Sequence, residues 1–78
     1  MKKERRYFTM TTEHESAIRQ LSEEEAGTLL IMIFAFVNGR DPFTSFTEEQ
    51  KKYMTHDVVV LYNVISAQIE KELRERYN

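Results

Sequence analysis

The run Leu29–Leu30–Ile31–Met32–Ile33–Phe34–Ala35–Phe36–Val37 is apolar without a break, in a chain of only 78 residues. It has no polar side at either the helical or the strand period, so whatever it forms must be covered on most of its faces. A chain this short has little other material with which to cover it. The run also falls well short of the ~18–20 residues that a membrane-crossing helix needs. It therefore argues for a buried element and for help from outside the subunit.

The means of that help are few. Cysteine is absent, so neither disulfides nor a Cys-based zinc site can stiffen the domain, and two histidines are too few for a His-rich metal site. With 41% apolar and 31% charged residues the composition is that of a folded protein, and one Pro and two Gly favour long helices over a hairpin-rich sheet. Association of helices from two copies is the remaining way to enlarge the core. A net charge of −2 suits neither a nucleic-acid mimic nor a general DNA-coating protein.

Helix boundaries can be read from the polar residues around the apolar ones. Ala17, Ile18 and Leu21 lie at helical spacing behind Thr11 or Thr12 as N-cap, which predicts a short first helix over residues 12–21. Ser22–Glu23–Glu24–Glu25 is a capping box, with Leu21 placed to act as a hydrophobic staple against Ala26. A second helix is expected to start at Glu23, carry the apolar run and stop near Asn38, where Gly39 suits the left-handed position after a helix and Pro42 follows. The competing reading of the run is a buried strand, given its Ile, Phe and Val content. It lacks a second strand with which to pair.

Residues 40–46 read as a loop that tucks Phe43 and Phe46 back onto the core. Thr47–Glu48–Glu49–Gln50 is a second capping box, after which Met54, Val58, Leu61, Ile65, Ile69 and Leu73 recur every three or four residues, with Tyr62 and Tyr77 beside the stripe. Either one helix runs from Glu48 to about Arg76, or a break at Thr55–His56–Asp57 divides it. Glu70 with Arg74, and Glu72 with Arg76, are spaced for pairs on its solvent face. The expected fold is all-α: a compact unit of three to four helices, one domain over residues 1–78 with 1–6 as a basic flexible leader, a central apolar helix and a long C-terminal helix. That unit is expected to dimerise, with Leu30, Phe34 and Val37 divided between the subunit core and a self-association interface.

Four phrases resemble a family of short, uncharacterised helical proteins of phages and prophages: Tyr7–Phe8, Leu21–Ser22–Glu23–Glu24–Glu25–Ala26–Gly27, Phe36–Val37–Asn38–Gly39, and Ile65–Ser66–Ala67–Gln68–Ile69–Glu70. Some members of that family precede, or are fused to, phage replication-initiation proteins. The chain departs from the pattern in its basic leader and in Thr55–His56–Asp57. The resemblance implies a phage or prophage setting and a helical fold, and it carries over no catalytic residues.

Reactive groups are sparse. His14 between Glu13 and Glu15, and His56 beside Asp57, could be imagined in a metal or proton-transfer role, but nothing matches the HExxH spacing. Surface or capping histidines are the plainer reading. No catalytic residue, metal site or cofactor is expected. Gly27, inside the second helix, either admits a close helix within the subunit or leaves room for a second subunit or a ligand. Lys2, Lys3, Arg5 and Arg6 with Tyr7 and Phe8 form a basic cluster with aromatic neighbours, suited to a nucleotide or nucleic acid if it is not simply a solvated tail. The basic start, Met1 to Arg6, lacks the apolar stretch of a secretory signal, so a cytoplasmic location is expected, in the host cell if the chain is phage-encoded.

Three functions remain open on this reading. The first is a non-enzymatic interaction protein that binds a host or phage protein to modulate replication or host defence. The second is a protein that sequesters a nucleotide signal in a pocket between subunits, and the third is a nucleic-acid-binding accessory module.

Overall fold

The computed structural model of the chain describes residues 12–77, and they contain helices and connections without a strand. A 3-10 turn, Thr12–His14, leads into α1 (Glu15–Arg19); α2 (Glu23–Val37), α3 (Pro42–Ser45), α4 (Glu48–Lys51) and α5 (His56–Tyr77) follow. Since α3 and α4 are single turns, the molecule is built on two long helices, α2 and α5, with short pieces around them. The strand reading of the apolar run is thereby excluded.

Each long helix begins where side-chain chemistry satisfies its free N–H groups. Ser22 Oγ accepts from the Glu25 N–H at 3.1 Å while Glu25 Oε1 accepts from the Ser22 N–H at 2.9 Å, completing the capping box. At the other end of α2, Gly39 adopts φ +82°, the Gly39 N–H donates to Phe36 O and the Arg40 N–H reaches Ala35 O at 2.8 Å. These are the paired bonds of a Schellman motif, and a Cβ at position 39 would strain that backbone.

The chain then departs from the expected loop. Asp41 caps α3, its carboxylate accepting from the Phe43 N–H at 2.9 Å, and Pro42 occupies the first turn. Phe46 is buried as expected, but Phe43 keeps a large exposed surface while its ring edge meets Tyr62, 5.6 Å between centroids. Past the capping box of Thr47 and Gln50, α4 ends at Lys51, so the helix does break before α5, a few residues earlier than Thr55–His56–Asp57 suggested. Thr55 is the reason. Its Oγ1 accepts from the Val58 N–H and its carbonyl from the Val59 N–H, which makes it the cap and puts His56 and Asp57 inside the first turn.

The core lies between α2 and α5. Leu29, Met32, Ile33, Ala35 and Val37 of α2 pack with Val58, Tyr62, Ile65 and Ile69 of α5, and Phe46 belongs to the same cluster. Ile18 and Leu21 pack onto this cluster from the first helix, and Met54, Leu61 and Leu73 from the later segments. Thr55 Oγ1 donates to Glu25 Oε2, joining the start of α2 to the start of α5, and the Phe36–Tyr62 ring contact lies further along both. The two helices therefore run in the same direction, and residues 38–55 carry the chain back. The Glu70–Arg74 pair forms at 3.8 Å on exposed side chains, where such pairs add little. The expected Glu72–Arg76 pair involves a side chain outside those described.

Candidate contact surface

Once α2 is fixed as a helix, its apolar run divides. Leu29, Met32, Ile33, Ala35 and Val37 point into the core, whereas Leu30, Ile31 and Phe34 remain 46%, 51% and 47% exposed. At 100° per residue, Glu23, Gly27, Leu30, Ile31, Phe34 and Asn38 share one side of the helix, and all of them are exposed. The middle of this stripe carries no charge. Acids stand only at its N-terminal end, Glu23 and Glu24, and a cation, Arg40, just past its C-terminal end.

Two expectations about this helix need correction. Of the three residues expected to be divided between core and interface, Val37 falls to the core: it lies two residues before Gly39 and is buried within the subunit. Leu30 and Phe34 do lie on the surface, and Ile31 joins them. Among the described residues no helix packs closely on Gly27, because a Cβ built there meets nothing within 4 Å. Of the two readings of that glycine, the intramolecular one has no partner among the described residues.

Other exposed apolar groups are smaller in extent. Val60 and Val64, one turn apart on α5, form a second patch, and Phe43 exposes one side of its ring. Tyr62 beneath it is buried between Phe36 and Phe43; burial, and then the nearby Asp41 charge, push its hydroxyl pKa up.

Several polar residues are committed to structure. His14 is not at the surface: it is buried, with Nε2 2.8 Å from Gln68 Oε1, so the ring ties the first helical turn to α5. The spacing of 54 residues between these partners left no sequence signal. His56 is exposed. Among the described residues no three His, Cys, Asp or Glu side chains gather as a metal site. Glu25 is held below the usual carboxylate range by the Thr55 hydroxyl and the Ser22 N–H, both of which donate to it. An open depression near the first helix is lined, among the described residues, by Thr12, Glu15, Ser16, Arg19 and Gln20, and Arg19 pairs with Glu15 at 3.3 Å.

The basic and aromatic cluster of Lys2, Lys3, Arg5, Arg6, Tyr7 and Phe8 lies outside the described residues. Among those described, no helix is long and apolar enough to cross a membrane. Comparisons with protein-family profiles, with curated proteins and with solved structures each returned no match for this chain. The phage resemblance accordingly stands on its sequence phrases alone.

Proposed function

We propose that this chain is a non-enzymatic interaction protein of phage or prophage origin, which binds a host or phage protein through the exposed side of α2 and thereby modulates replication or host defence. The observation that carries the reading is the exposure of Leu30, Ile31 and Phe34 on the helix that also supplies half of the core. Clustered large apolar side chains of this kind mark contact surfaces on small domains. The phage setting is supported by the Leu21–Gly27 and Phe36–Gly39 phrases, and a non-enzymatic role is supported by the engagement of His14 in packing and of Glu25 and Asp41 in capping.

A photoreactive residue at Ile31, compared with one at exposed Lys71 on α5, tests the surface in the cell of origin. The expected result is a crosslink to a second protein from position 31 that is missing from position 71 and is lost in Phe34→Ser. Equal crosslinking from both positions, or none from position 31, overturns the reading.

A further inference from the structure

We infer that Asn38 is a modification site: its side-chain amide is lost to water through a cyclic imide formed with Gly39, and the folded end of α2 holds this reaction back until that end opens. Of Asn38, Asn63 and Asn78, only Asn38 precedes a glycine. A glycine sets no side chain beside its own nitrogen, so that nitrogen can reach the neighbouring amide carbon, whereas the branched Val64 hinders the same approach to Asn63. The chemistry needs only water. The Gly39 nitrogen gives its proton to hydroxide and attacks Asn38 Cγ. The new N–Cγ bond closes a five-membered ring, the Cγ–Nδ2 bond breaks, and Nδ2 leaves as ammonia by taking a proton from water, which regenerates the hydroxide. Water then opens the ring at either carbonyl, giving aspartate or the isomer whose backbone runs through the side chain.

In the folded chain the reacting atoms are all engaged. The Gly39 N–H donates to Phe36 O at 3.0 Å, and Asn38 Nδ2 donates at 2.9 Å to Phe34 O, which also accepts from the Asn38 N–H. With φ −87° and ψ 10°, Asn38 keeps the Gly39 nitrogen turned away from Cβ about the Cα–C bond, and ring closure requires the two to lie nearly eclipsed. The Arg40 N–H, bonded to Ala35 O at 2.8 Å, fixes the turn beyond. Asn38 and Gly39 are nevertheless exposed, so water and hydroxide reach the site freely. Conformation protects the amide, not burial, and the reaction waits on local opening of the last turn of α2. The product does not restore the lock. A carboxylate at position 38 cannot donate to Phe34 O and sets a negative charge at the negative end of the helix. The isomer lengthens the backbone between the paired bonds of the Schellman motif. Modification is therefore a one-way loosening of a helix that supplies half of the core.

The full chain, kept at mildly alkaline pH either folded in buffer or unfolded in guanidinium chloride, tests this by mass spectrometry of its peptides. Conversion at Asn38 should be at least about tenfold slower in the folded chain than in the unfolded one. In the unfolded chain Asn38 should far outpace Asn63. Equal rates at Asn38 in the two states overturn the conformational lock, and failure of Asn38 to outpace Asn63 overturns the site itself. Asn38→Asp should melt below wild type at neutral pH, by a margin that shrinks in acid as the carboxylate is protonated. An Asn38→Asp chain that melts with wild type at neutral pH overturns the loosening.

Discussion

Glu25 illustrates how much one side chain can fix at the scale of the residue. One carboxylate oxygen closes the capping box of α2, and the other accepts from Thr55, whose hydroxyl caps α5, so a single charge holds two helix starts together. The partners that hold it favour the ionised form, and its folded pKa lies below the ordinary 4.5. A carboxylate of that kind stabilises the fold above the unfolded pKa, and this contribution is lost as pH falls through the lower folded value. Urea titrations from pH 6 downward should therefore show stability falling below about pH 4.5, with a shallower fall in Glu25→Gln, whose amide oxygen can still accept from the Ser22 N–H but which lacks the charge and the second accepting oxygen that faces Thr55. An equal slope in the two proteins would remove Glu25 from the acid response. Half of this arrangement was legible beforehand, because a capping box is a local pattern of four residues. The bond to Thr55 was not, and neither was His14 with Gln68: contacts between distant segments depend on how the helices dock, which no local spacing records.

At the scale of the element, the two glycines of the chain act in opposite directions. Gly39 takes φ +82°, where a Cβ is disfavoured, whereas Gly27 sits in an ordinary helical turn with open space around it. Gly39→Ala should destabilise the protein by about 1–2 kcal/mol, the cost of a side chain in the left-handed region. Gly27→Ala should stabilise the dilute protein by about 1 kcal/mol through helix propensity. Chemical denaturation at low protein concentration measures both, and shifts of the same sign would contradict the difference in their surroundings. The cap at 39 was readable from Asn-Gly followed by Pro42. So, in retrospect, was α3, because Asp41–Pro42 is the usual N-cap and first-turn pair; the aromatic residues around it drew the eye toward a packed loop instead. The break before α5 was displaced for a related reason. Thr55, His56 and Asp57 all look like helix interrupters, yet only Thr55 stands outside the helix, and the other two are absorbed into its first turn.

At the scale of the whole molecule, the apolar run that shows no periodicity conceals two opposite environments in adjacent residues. Met32 has no exposed surface, and Ile31 beside it is half open to solvent. A uniformly apolar sequence cannot announce which of its sides its neighbours will cover, which is why Leu30, Phe34 and Val37 could only be divided between core and interface as a group, although Val37 alone of the three is buried. The division makes a sharp contrast available. A small domain of this length has on the order of 4–12 kcal/mol of total stability. Met32→Lys removes a core side chain, worth about 2–5 kcal/mol, and adds an unpaired buried charge, so it should leave the chain unfolded. Ile31→Lys changes a surface side chain and should stay within about 0.5 kcal/mol of wild type when dilute. Concentration then separates the two roles of α2. Binding that involves only the native state raises the melting temperature by mass action, so wild-type protein should melt higher as concentration increases. Ile31→Lys should show a smaller rise if copies associate through the exposed side of α2, because the contact would then have to bury a cation. A melting temperature that climbs equally in both proteins would place the association elsewhere, with Val60 and Val64 on α5 as the next surface to alter.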